Sequence, residues 1–182
     1  MFQRIFLIVA LLLGPGLLAD PASSRLLISR EDALAGIFGA AIHVETATLY
    51  LTGDQVEEIR QKARAPFERK RLTYYRIMVR DSLAGVAIVD KHLVRTLSKT
   101  VLIALDAKGH VLAVEILAWN EPDDYRPPDR WLDLAGGQEE IEDMRPGEGM
   151  PRMAGSTLSA RSMTAAIRRA LAIGDLVLSA NE

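Results

Sequence analysis

The stretch Met150-Pro-Arg-Met-Ala-Gly-Ser-Thr-Leu-Ser-Ala-Arg-Ser-Met163 gathers Gly155, Ser156, Thr157 and Ser159 where a loop runs into the last amphipathic segment of the chain. The first turn of a helix leaves backbone N–H groups without partners and carries the positive end of the helix dipole. Small residues let a ligand approach the backbone closely. A phosphate suits such a place, with the amides of Leu158, Ser159 and Ala160, the hydroxyl of Ser159, and Arg152 and Arg161 as nearby cations. The same residues also make an ordinary helix cap, where serine and threonine are favoured. The residues alone leave both readings open.

Other chemistries have less to work with. The 182 residues include no cysteine, which excludes disulfides, iron–sulfur clusters, thiolate zinc sites and cysteine nucleophiles. The three histidines, His43, His92 and His110, show no metal-ligand spacing, so no metal is expected. Twenty-two Lys and Arg against 24 Asp and Glu give a net charge of −2, with no basic excess to suggest nucleic acid. Neither a G-x-S-x-G elbow, a P-loop nor a G-x-G-x-x-G fingerprint occurs. Glu139 to Asp143 reads as a solvated acidic loop and Lys62 to Arg71 as a solvated basic helix end, open to an acidic partner or a lipid surface. Chemistry must then come from a bound organic cofactor, from carboxylates or hydroxyls, or be lacking.

The elements that would position the motif can be read in order. Ser29 caps a short helix containing Ala33, Leu34, Ile37 and Phe38 and ended by Gly39. Ala41 to Leu51 is a strand. Thr52 and Gln55 form a capping box for a helix that Pro66 closes. Leu72 to Val79 and Leu83 to His92 are strands. Val101 to Leu105 and His110 to Trp119 form a hairpin across Asp106-Ala107-Lys108-Gly109, with both faces covered because nearly every position is apolar. A proline-initiated short helix follows at Pro127 to Leu132, then a loop from Gly136 to Gly149. From Ser159 to about Leu178, Met163, Ala166, Ile167, Ala170, Leu171 and Gly174 form a helical stripe, with Arg168 and Arg169 off it. The sum is a single α+β domain: a mainly antiparallel sheet, flanking helices and a C-terminal amphipathic helix.

Met1 to Ala19 has the layout of a secretory signal peptide. Arg4 is followed by nine apolar residues, Ile5 to Leu13, then a Gly-Pro-Gly break and Ala19 at a cleavage point. The run falls short of the roughly 20 apolar residues that span a bilayer. Cleavage near Ala19 and a periplasmic location are therefore expected, ahead of an uncleaved inner-membrane anchor.

Gly155-Ser156-Thr157-Leu158-Ser159-Ala160-Arg161 before an amphipathic helix resembles the signature of the FMN-binding domain family. That family includes the periplasmic flavin subunits of sodium-translocating quinone reductases and Rnf-type electron-transport complexes, and the N-terminal domain of the nitrous-oxide-reduction regulatory flavoprotein. Thr100 to Glu121 is similar to the family's hairpin running into a Glu-Pro turn. Arg126 to Gly137 is similar to its tryptophan-bearing stretch, and Asp90-Lys91-His92 to its Gly-Lys-His. The likeness covers residues 83–171 in the family's order. It departs at Met150, where relatives have aspartate, at Ala154, where they have serine or threonine, and at Ser156, where they have alanine.

The resemblance implies FMN joined by a phosphoester to the hydroxyl of Thr157, a bond made by a flavin transferase. Glu121 in the Glu-Pro turn would bound the pocket. Met153, Leu158, Trp119 and Tyr125 are candidates for the apolar shelf under the flavin ring, and each is equally suited to packing; Trp131 reads as core. The protein would be an exported electron carrier relaying charge between redox proteins, or to a membrane electron-transport complex, without a substrate or acid–base pair of its own. The alternatives are a periplasmic binding or regulatory module of the same fold without covalent flavin, and an enzyme reducing a small acceptor at the flavin.

Overall fold

Alternation along the strands decides what each face of the sheet buries. Val86, Ile88, Val101 and Ile103 point into one buried cluster, and their neighbours Ala87, Leu102 and Ala104 into a second on the opposite side. A sheet apolar on both faces needs a cover on each. The structure, a computed structural model, describes residues 25–94, 97–136 and 149–179. The expected signal peptide, most of the loop expected after Gly136, and the acidic run Glu139 to Asp143 lie outside the described residues. Among the described residues no helix is long and apolar enough to cross a membrane.

Five strands form an antiparallel meander in chain order: β1 (His43–Tyr50), β2 (Arg71–Val79), β3 (Ser82–Val94), β4 (Leu97–Asp106) and β5 (Val111–Trp119). This is the α+β domain expected from the sequence. Helix α1 (Arg30–Phe38) covers one face against β4 and β5, burying Ala33 and Leu34. Helices α2 (Gly53–Ala63) and α4 (Thr157–Ser179) cover the other, α4 lying across β3 and β4. The four-residue α3 (Asp129–Leu132) seats Trp131 and Leu132 in the same core. Residues 25–28 run antiparallel beside the outer edge of β5, with Leu27 N–H donating to the Leu117 carbonyl at 2.8 Å, so that edge is not left open.

Local signals hold at several boundaries. Ser29 accepts from the Asp32 amide at 3.0 Å, and Thr52 and Gln55 complete a reciprocal capping box. Removing that box with Thr52→Ala is expected to cost about 1 kcal/mol, read as a shift in the urea unfolding midpoint. Gly109 takes φ +94° in the β4–β5 turn. Gly85 serves a different purpose: a Cβ there would lie 2.1 Å from the Leu105 carbonyl oxygen, so only glycine lets β3 approach β4 so closely at that point.

Three expectations need correction. Helix α2 ends at Ala63, with Arg64 in the left-handed region at φ 47° and its amide bonded to the Gln61 carbonyl, before Pro66 is reached. Helix α4 begins at Thr157 rather than Ser159, so Thr157 belongs to the first turn and not to the loop. Arg169 is not off the buried face. It is 9% exposed because Asp90 on β3 receives it.

Candidate functional site

The loop before α4 turns sharply at Gly155, φ +73°, and the Ser156 amide closes the turn on the Met153 carbonyl at 3.2 Å. Ser156 is buried, and its hydroxyl donates to the Asp124 carbonyl at 3.2 Å, fastening the loop to the turn that follows β5. The first intrahelical bond runs from the Ala160 amide to the Ser156 carbonyl at 3.0 Å. The Ala160 N–H, expected to face a ligand, is therefore committed. The amides of Thr157, Leu158 and Ser159 make no hydrogen bond to any described residue. Thr157 itself is exposed on this turn.

A cleft of about 200 Å³ opens here, lined by Glu121, Tyr125 and Gly155 to Ser159. Behind two of its lining residues, Glu121 and Ser159, lies a residue not singled out from the sequence. Lys99 on β4 is fully buried, and its Nζ donates to Ser159 Oγ at 3.1 Å and lies 3.4 Å from Glu121 Oε2. It also sits 4.1 Å above the Trp119 ring. Burial pulls the Lys99 pKa down from 10.5, and the adjacent Glu121 carboxylate opposes that shift. The other carboxylate oxygen, Glu121 Oε1, is buried and has no hydrogen-bond partner. A buried acceptor left this way is costly unless a donor arrives.

The sequence did carry a signal for Lys99: it is in step with Val101, Ile103 and Leu105, all of which face the α4 side of the sheet.

The expected shelf residues separate. Tyr125, 38% exposed, and Leu158, 44% exposed, line the cleft. Trp119 does not, being fully buried beneath Lys99 with its indole N–H on the Pro122 carbonyl. Its position is in the core because β5 continues apolar up to its last residue. Met153 faces the other side of the loop. With Trp131, Leu134, Arg126, Arg130 and Arg152 it lines a second hollow of about 440 Å³, which meets the first at Ser156. Arg152 is thus on that rim, and exposed Arg161 lines neither hollow. The Ser159 hydroxyl, expected to face a phosphate, is buried and accepts from Lys99 instead. Trp131 is in the core, as read from the sequence, with its N–H on the Pro151 carbonyl at 2.8 Å.

Met150 is also core, 1% exposed among apolar neighbours. The position offers an aspartate no solvent, and a thioether fills it without desolvating a charge.

Among the described residues, an exposed hydroxyl, three amides without partners and a buried ammonium behind them make an anion-receptive surface. The chain matches no protein-family model and no curated protein.

Proposed function

We propose that the protein is an exported flavoprotein electron carrier with FMN held as a phosphoester of Thr157. The observation that carries this reading is the first turn of α4, where exposed Thr157 stands among three uncommitted amides above the Lys99 ammonium. A phosphodiester keeps one negative charge after attachment, and that charge is matched by the helix dipole, while Lys99 offsets the neighbouring Glu121 carboxylate. Glu121 Oε1 supplies an acceptor for a hydroxyl or N–H of the cofactor. At about 200 Å³ the Thr157 cleft is smaller than pockets that enclose a drug-sized ligand. It suits the phosphate and ribityl end. Tyr125 and Leu158, or Met153 with the arginine-rimmed hollow beyond Ser156, offer apolar surface to the ring.

When bound, FMN supplies the redox chemistry, and the protein supplies position and charge. Arg126, Arg130 and Arg152 would favour electron-rich states of a ring lying in their hollow. Covalent attachment also serves a plain need outside the cytoplasm, since a dissociated cofactor would be lost by dilution. The partners under this reading are a flavin transferase and redox proteins, with location in the periplasm.

Attachment joins Thr157 Oγ1 to the phosphorus of a flavin dinucleotide as its pyrophosphate P–O bond breaks; the nucleoside monophosphate leaves with the hydroxyl proton, so the chain gains the mass of FMN less one water. Co-expression with a flavin transferase, followed by intact-mass measurement on denatured protein, tests this. The wild type is expected to carry the added mass and a yellow colour that survives denaturation. Thr157→Val is expected to carry neither. A second reading, a binding or regulatory domain without covalent flavin, draws on buried Met150 standing where the resemblance expects an aspartate. Unmodified wild type would remove covalent attachment, and failure also to bind free FMN would remove the first reading altogether.

A further inference from the structure

The basic run Lys62 to Arg71 leaves α2 at Ala63 and reaches β2 at Arg71, so most of it lies on the connection between them. Its last residues are drawn to one corner of the sheet. Tyr50, which ends β1, is the register partner of Arg71, which opens β2. The Leu51 amide donates to the Lys70 carbonyl at 2.8 Å, holding Lys70 beside the same strand ends. Arg69 donates to the Lys91 carbonyl at 2.7 Å and ties the connection to the end of β3, across 22 positions of chain. Leu93 lies two residues further along β3.

Strand alternation gives these residues a common face. Arg71 is in step with Tyr75 and Ile77, Lys91 and Leu93 with Ala87 and Val89, and Tyr50 with Val44. All of those partners pack on the α1 side of the sheet. Helix α1 lies chiefly over β4 and β5, so its cover does not extend to this corner. Tyr50 is 72% and Leu93 70% exposed, more than any other large apolar side chain among the described residues.

Arg69, Lys70, Arg71 and Lys91 are exposed, and none forms an ion pair with a described residue. Glu68 is the acid on the same connection, which leaves a net of three positive charges. Like charges on neighbouring strand ends repel one another, and an anionic surface relieves that repulsion. An acidic protein would match the charges alone. The exposure of Tyr50 and Leu93 among them favours a bilayer, where lysine and arginine reach headgroups, tyrosine sits at headgroup level and leucine enters the acyl boundary.

We propose that this corner docks on the surface of an anionic phospholipid bilayer, with Arg69, Lys70, Arg71 and Lys91 on headgroup phosphates and Tyr50 and Leu93 in the interface. None of these residues lines the Thr157 cleft, so the inference stands apart from the flavin reading.

Co-sedimentation of the purified chain with vesicles, in detergent-free solution, tests this. One set of vesicles is phosphatidylcholine; the other is phosphatidylcholine and phosphatidylglycerol in equal parts. The wild type is expected to prefer the anionic set, and added salt should remove the preference. Lys70→Ala with Arg71→Ala should weaken anionic binding about 25-fold, roughly fivefold per charge. Leu93→Ser and Tyr50→Ser should each weaken it by about tenfold. Lys108→Ala, an exposed lysine in the β4–β5 turn at the other end of the sheet, should bind as the wild type does. All variants share the same N-terminus, so the differences among them report the corner. No preference for the anionic vesicles, no loss in the Lys70 and Arg71 variant, or an equal loss in Lys108→Ala would overturn the proposal. Unchanged vesicle binding by Leu93→Ser and Tyr50→Ser, with tight binding of the wild type to an octaglutamate peptide, would assign the corner to an acidic protein and overturn it too.

Discussion

Replacing Lys99 with alanine is expected to destabilise the fold by about 3–5 kcal/mol at neutral pH, the cost of leaving a buried charge without its partner. Lys99 is fully buried, and three groups are arranged around its ammonium: Ser159 Oγ, Glu121 Oε2 and the Trp119 ring. Alanine removes all three contacts at once. The Glu121 carboxylate, already lacking a partner at Oε1, is then left largely buried at the edge of the cleft with neither oxygen matched. The lost stem also leaves a void against Trp119. Lys99→Met separates these effects, because it keeps the volume and deletes only the charge. It should lose most of what Lys99→Ala loses, and Lys99→Met with Glu121→Gln should recover the larger part. Urea unfolding midpoints of the three variants decide the matter; a wild-type midpoint for Lys99→Met would show that the ammonium does not hold the Glu121 turn. Under the flavin reading the same variant should also weaken binding of free FMN, since the cation under the first turn is gone.

Arg169→Ala is expected to cost a similar amount at neutral pH, about 3–5 kcal/mol, and to differ from the Lys99 variants in its pH dependence. It strips Asp90 Oδ2 of its 2.7 Å partner and leaves the carboxylate with His92 alone. In the wild type the folded carboxyl lies below its ordinary value of 3.8, so the native state binds fewer protons than the unfolded chain in that region. The stability from Asp90 is therefore complete above that value and disappears as pH falls beneath it. Asp90→Asn, which has nothing to titrate, should show a flatter acid limb. The penalty of Arg169→Ala should shrink in acid, as the stranded carboxylate takes up a proton. Stability measured by urea unfolding across the acid range checks both curves; parallel curves for wild type and Asp90→Asn would refute the pairing.

How much could be read ahead of the structure varies with the range of the interaction. The caps at Ser29 and Thr52, the left-handed glycine at 109 and the stripe of α4 all depend on residues within a few positions of one another. The start of α4 is different. Ser156, Thr157 and Ser159 are all good cap residues, so local preference does not choose among them. The choice comes from partners distant in the chain: Ser156 Oγ reaches the Asp124 carbonyl, and Ser159 Oγ is occupied by Lys99. That selection placed Thr157 on the exposed first turn and committed the Ala160 amide. Trp119 and Met153 parted for a similar reason. One ends an apolar strand, and the other follows a loop whose path is set by Ser156 and Trp131.

By itself the amino-acid sequence determined the antiparallel α+β domain and marked the Thr157 turn, because caps, turns and apolar periodicity act over a few residues. Only the tertiary structure decided that Lys99 meets Glu121 and Ser159, and that Arg169 meets Asp90. Charged residues enter a core only when a partner from another element is waiting. That partner is chosen by strand register and helix placement, which bring together positions 60 and 79 residues apart in the two cases.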